Sequence, residues 1–502
     1  MDEKHNLKKR SSQSGQSTRP NSITESTETK KMNNKRFKWL IIIEVLVCCI
    51  IIGSYLFMSF SKKNSEDDNL NNSDTGTEQM TDDTSENSKE SQDDIIPVVT
   101  LTPEEIEQQR LEEEEKVTQQ KIAVLIEKAN QMAMGYDYNG AIEKIQSFEG
   151  DYSEYEALTT AIAGYKSTKE TLDPFGAYDS VNQISHIFFH SLVADTAKAF
   201  DGDRKSNGYN FYMTTVTEFK KMMQQMYNEG YVLVGIHDLA KEVTSEDGTT
   251  KFVEDKILLP PDKKPFVLSQ DDVNYYAYMD GDGFASRFVI DENGRPSTEM
   301  IMEDGTTSIG DYDLVPVLET FIAEHPDFSY KGARGIIALT GYEGTLGYRT
   351  NDITSPTYEQ DKKTVKQIAK VLKEWGWEFA SHSYGHRNML TYGYKFLIQD
   401  TDRWMKEVGS LIGPTDIYVY PYGIDIETSM ATYSSDKYKY LKKLGFNYLC
   451  GVYKAPWIQI KDDYIRMTRR PLDGQAMLQF PERLTDLFDL STIIDASRPA
   501  LK

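Results

Sequence analysis

Two adjacent carboxylates, Asp271 and Asp272, close the stretch Lys264-Pro265-Phe266-Val267-Leu268-Ser269-Gln270. The apolar run behind its proline predicts a short buried strand. Neighbouring acids at the end of such a strand repel each other and lose hydration, so a metal ion or a proton-transfer role has to hold their charge. Alone, an Asp-Asp pair is more often a solvated turn. A second stretch changes that balance. Ser381-His382-Ser383-Tyr384-Gly385-His386 follows a strand-like Trp377-Glu378-Phe379-Ala380. Between them the two stretches bring carboxylates and imidazoles, donor types that can hold a divalent cation.

Elements able to position these groups recur through the second half of the chain. After the Asp173-Pro174-Phe175-Gly176 break, short strands alternate with helices, which predicts an α/β fold. Strands are expected at 184–189, 231–236, 266–268, 335–339, 378–380 and 417–420. An amphipathic helix is expected at 217–229, with Phe219, Met222, Met223 and Met226 on one side. The first strand carries His186 and ends at His190.

The chain has 502 residues, enough for two or three parts, and a net charge of −23, which excludes the basic face that nucleic acid needs. The charge is uneven: through Lys63 there are 12 Lys and Arg against 5 Asp and Glu. Residues 39–60 form an apolar run of 22 with one charge, Glu44, long enough to cross a bilayer core of roughly 30 Å. Lys30, Lys31, Lys35, Arg36 and Lys38 precede it, so a single-pass membrane protein with a cytoplasmic N-terminus (1–38) and an external bulk is expected. The run is too long for a cleaved signal peptide, and no A-x-A-like site follows. Residues 61–100 read as a disordered acidic spacer. From Thr102-Pro103-Glu104-Glu105, a helix start, residues 101–172 read as a tetratricopeptide-like helical hairpin turning at Gly135–Ile142. Cys48 and Cys49 lie in the span and Cys450 is alone outside it, so no internal disulfide supports the outer part.

Ser269-Gln270-Asp271-Asp272, His382-x-x-x-His386 and Tyr420-Pro421-Tyr422-Gly423 resemble the motifs of polysaccharide deacetylases, the NodB-homology group of carbohydrate esterases. The preceding strand-helix-strand, from His186-Ile187-Phe188-Phe189-His190 to His237-Asp238-Leu239, resembles the circularly permuted branch that includes poly-β-1,6-N-acetylglucosamine deacetylases. The likeness spans roughly residues 185–470. It implies a distorted (β/α) barrel over 173–502 with its site at the carboxyl ends of the strands. It also implies an N-deacetylase hydrolysing the acetamides of an amino-sugar polymer, either peptidoglycan or poly-N-acetylglucosamine. Asp272, His382 and His386 would hold a divalent metal, zinc first, with cobalt, nickel or manganese as alternatives. Asp271 would be the base, His190 the general acid brought forward by the permutation, and a backbone N–H near Tyr422 an oxyanion donor. The expected partners are an acetylated surface or secreted glycan and the membrane.

Three positions depart from the family pattern. Gln270 replaces an aromatic, Val273 a glycine, and Val419 an arginine that would orient Asp271; Arg466, Arg469 and Arg470 are the substitutes in view. Residues 280–312 read as a polar insertion serving as a lid or substrate loop. Two other readings are open: a catalytically degenerate glycan-binding barrel, and a surface interaction protein that works through the helical hairpin. His237 and His325 read as structural.

Overall fold

The computed structural model describes residues 101–175, 183–429 and 431–501. The basic tail, the expected span at 39–60 and the acidic spacer lie outside them. Among the described residues no helix is long and apolar enough to cross a membrane.

Thr102 opens α1 (Pro103–Met134) with a reciprocal cap. Its hydroxyl accepts from the Glu105 N–H, and the Glu105 carboxylate accepts from the Thr102 N–H at 2.7 Å. The turn that follows leads into α2 (Tyr138–Gln146), as the small residues there predict. A third helix, α3 (Glu156–Lys169), completes the unit, so the expected hairpin is three helices. Ile122, Ala129, Ala141, Ile145, Leu158 and Ile162 form a small core of their own. Tyr136 ties this unit to the rest of the chain: its hydroxyl donates to the Asp327 carbonyl at 3.0 Å and its ring stacks on Tyr330.

The rest is a closed parallel barrel. Its strands are β1 (Ser185–Phe189), β2 (Tyr231–Leu233), β3 (Lys264–Gln270), β4 (Ile336–Leu339), β5 (Glu378–Ser381), β6 (Ile417–Val419), β7 (Tyr448–Val452) and β8 (Ile465–Pro471). Around the barrel the order is β4-β5-β6-β7-β8-β1-β3, and the pairs Ile336↔Ser269 and Ile337↔Gln270 close the ring of seven. β2 pairs with the first half of β3, from Tyr231↔Lys264 to Leu233↔Phe266, and Leu233 also bridges to Ser329. It stops short of the expected 236 because Gly235 starts a short 3-10 turn, with the Asp238 carboxylate accepting the Gly235 N–H at 2.8 Å. Adjacency of β8 and β1 (Arg469↔His186, Arg470↔Ile187) lets the first strand complete a wall made by the last.

Alternation along the strands separates two cores. Val267, Ile336, Ala338, Ala380, Ile417, Val419, Cys450, Ile465 and Met467 pack inside. Phe266, Leu268, Ile337, Leu339 and Leu449 face outward against helices, including Val216–Asn228, whose Phe219, Met222, Met223 and Met226 are all buried as expected. The insertion at 280–312 is not an irregular loop. It holds a three-stranded antiparallel sheet (Arg287–Ile290, Pro296–Ile301, Thr307–Gly310) with Phe288 buried in the outer core.

Candidate active site

At the carboxyl end of β3 the Asp271 N–H still reaches across to the Phe189 carbonyl of β1 at 2.8 Å, so its side chain keeps the inward face of the strand. Asp272 then takes a left-handed φ of 58°, which throws its side chain out of the strand's alternation. The adjacent acids thereby enter two environments. Asn274 fixes this turn: its amide oxygen accepts from the Thr340 N–H, and its amide nitrogen donates to the Thr340 carbonyl, both at 3.0 Å. Tyr275, Ser383, His386 and Tyr422 also have positive φ, so left-handed residues cluster around these strand ends.

Asp271 is buried beneath the rim and accepts two hydrogen bonds from the Arg469 guanidinium, at 2.6 and 2.9 Å. Burial alone would raise its carboxyl, but the Arg469 charge overcomes this and holds it well below the usual carboxylate range. Arg469 lies over the Phe188 ring and donates to the Ser269 hydroxyl at 3.1 Å, which is 3.0 Å from His186 Nε2. His186, completely buried, is kept neutral by its loss of hydration. Of the three candidate arginines, Arg469 therefore meets Asp271. Arg466 pairs with Asp425 and Arg470 with Asp486.

Asp272, His382 and His386 place one ligand-capable atom each within 4.8 Å of one another. His382 Nδ1 lies 2.9 Å from the Val419 carbonyl, which can only accept, so Nδ1 carries the proton and the Nε2 lone pair faces inward. That Nε2 is 3.8 Å from Asp271 Oδ2, and His386 Nε2 is 3.8 Å from Asp272 Oδ2. Asp400 shapes the loop between the histidines by accepting the Tyr384 and Gly385 N–H groups at 2.7 and 2.8 Å. Burial pushes the His386 imidazole down to about 4, leaving a neutral ring with a free lone pair near pH 7. Tyr276 donates to Asp272 Oδ1 at 2.7 Å and leaves Oδ2 toward the histidines. One carboxylate and two imidazoles, each with a ring nitrogen toward the others, fit a divalent metal such as zinc.

His190 directly follows β1 at the same rim, within electrostatic reach of Asp271, Asp272 and Asp473. The sequence patterns did not single out Asp473. It is buried at the start of the helix Gly474–Gln479, accepts the Ala476 N–H at 2.7 Å, and has its carboxyl raised by burial. Its place directly after a strand, two residues beyond Pro471, was the available signal. Tyr422 follows β6 with φ 59°, is mostly exposed, and sets its ring 4.6 Å from that of His386.

The three positions that depart from the expected motifs have local explanations. Gln270 points away from the donor set and donates to Asp313 Oδ1 at 2.8 Å; that buried carboxylate also accepts the Leu192 N–H and the Tyr275 hydroxyl. Val273 is fully buried in the outer core. Val419 contributes its carbonyl to His382. His237 sits away from this rim between Glu378 and Asp416, at 2.6 and 2.9 Å, and braces the segments leading into β5 and β6.

No protein-family model matches the chain, and no curated protein matches it. Among solved structures it is similar to the Streptococcus pyogenes deacetylase PplD, determined in complex with acetate. The two share 12% identity over 61% of this chain and 98% of that one, with a TM-score of 0.32.

Proposed function

We propose that this chain is a membrane-anchored, metal-dependent N-deacetylase of an acetylated amino-sugar polymer outside the cell. The observation that carries the reading is the divergence of the adjacent acids: Asp271 is held ionised by Arg469, while Asp272 turns away to join His382 and His386. Such a split assigns proton transfer to one acid and ligation to the other.

A divalent cation held by Asp272, His382 and His386 would supply Lewis acidity toward an acetamide oxygen and a water. Asp271, ionised at neutral pH, accepts the proton of the attacking water. Arg469 keeps that carboxylate aimed and charged. His190, on the neighbouring strand end, donates a proton to the amine nitrogen as the carbon–nitrogen bond breaks, and acetate departs. The backbone at Tyr422, turned by its left-handed conformation, is the oxyanion donor. Beside the donor set lies an open cleft of about 610 Å³ lined in part by Tyr342, Tyr384, Phe396 and Tyr422, a shape and composition suited to sugar rings. The degenerate-barrel reading began from Gln270 and Val273, and neither side chain belongs to the donor set.

His190→Ala tests the permuted assignment. The variant should keep its metal and fold and lose at least about a hundredfold in acetate release, the lower end for loss of a general acid. Near-normal turnover would refute the role of His190.

A further inference from the structure

We propose that the glycan carries an anionic group, a carboxylate or a phosphate, on the sugar next to the one that is deacetylated, and that Arg387 recognises it. This rests on the deacetylase reading and decides between the charged and neutral polymers that reading leaves open.

The charged groups of the cleft beside His386 are unequally satisfied. Asp400 is buried and spends both carboxylate oxygens on the Tyr384 and Gly385 N–H groups. Arg403 donates to Glu407 at 2.9 Å and lies 4.0 Å over the Tyr384 ring. Arg387 is exposed in the same cleft, and among the described residues no carboxylate oxygen lies within 4 Å of it. Asp400 senses its charge only from beyond ion-pair distance. Arg387 directly follows His386 and lines the same cleft, so its planar fork of donors belongs to the space beside the donor set rather than to a remote face. That fork matches carboxylate and phosphate geometry and offers little to a neutral hydroxyl-bearing sugar. The aromatic members of the cleft, Tyr342, Phe396 and Tyr422, supply apolar area for the ring itself.

The test measures kcat/KM for acetate release by the zinc-loaded full-length protein on three substrates. One is a neutral N-acetylglucosamine pentamer. Another is a peptide-free glycan strand alternating N-acetylglucosamine with N-acetylmuramic acid, which bears a lactyl carboxylate. The third is an N-acetylglucosamine oligomer bearing glycerol phosphate. The parent should prefer one or both anionic substrates, and the better of the two identifies the group. Arg387→Gln should lower the anionic-to-neutral ratio about ten- to a hundredfold, the range of a charge-assisted hydrogen bond. Arg387→Lys should retain part of the preference. Unchanged zinc content in both variants reports an intact site. A parent that prefers the neutral pentamer, or an unchanged ratio in Arg387→Gln, overturns the inference. No acetate from any substrate with the parent overturns the deacetylase reading itself.

Discussion

Replacing Arg469 by Met should destabilise the protein strongly, and in a pH-dependent way. The pair it breaks is almost completely dry, with side-chain exposures of 0% for Arg469 and 3% for Asp271, and it is joined by two short hydrogen bonds. Removing one partner of such a pair costs about 3–5 kcal/mol, because the remaining charge is left buried without compensation. Asp271 can escape part of that cost by taking up a proton. In the parent its folded carboxyl lies below the unfolded value, so its contribution is present above about pH 3.9 and lost only as pH falls through the lower folded value. In Arg469→Met the largest charge opposing burial is gone, and the folded carboxyl rises above the unfolded value. The gap between parent and variant should therefore widen from about pH 4 toward neutrality. Urea unfolding at acid and neutral pH, with metal removed by a chelator so that no other cation substitutes, measures it. Adding Asp271→Asn should recover part of the loss, since no buried charge then remains; the coupling expected of contacting residues is about 0.5–3 kcal/mol. A loss under about 1 kcal/mol, or one independent of pH, would refute the claim that Arg469 holds Asp271 ionised.

Three further outcomes follow from separate parts of the molecule. His382→Ala should abolish stoichiometric metal binding while the far-ultraviolet circular dichroism is kept, and full metal occupancy would remove His382 from the donor set. Arg498→Ala leaves Glu218 unpaired, with both side chains at 0% exposure, so unfolding should cost about 3–5 kcal/mol less; a change within about 0.5 kcal/mol, of the order seen at surface sites, would contradict this. At His237 burial opposes the charge, but hydrogen bonds to Asp416 and Glu378 outweigh it and raise the imidazole to about 10. Its stabilisation should be complete below about pH 6.5 and disappear as pH rises through about 10, by a small amount because the ring is half-exposed. His237→Gln should flatten that slope in denaturant titrations.

The strand-end acids and histidines were legible because each follows an apolar strand at the rim where barrel sites form, and the six expected strands all exist. β7 and β8 were not read. Gly451 interrupts β7, and three arginines give β8 the pattern of a solvated segment, although Arg469 and Arg470 both find buried acceptors in the closed barrel. Parity in β8 held an unused clue. Ile465 and Met467 belong to the inner core, so the same face carries Arg469, while Arg466 and Arg470 share the other. The insertion was misread as a loop even though Asn293-Gly294 and Asp304-Gly305 are hairpin turns set between its strands. The outcomes at Gln270 and Asp473 depend on Asp313 and on the helix after β8, which no spacing in the sequence connects to the motifs.

The most direct measurement is acetate release from an acetylated amino-sugar oligomer by the metal-loaded full-length protein and by its Asp271→Asn variant, with metal content determined on the same samples. An amide at position 271 cannot take a proton from water. The account predicts equal metal content, acetate release by the parent, and a loss of at least about a hundredfold in the variant. A loaded parent that releases no acetate, or a loaded Asp271→Asn protein that turns over like the parent, would contradict it.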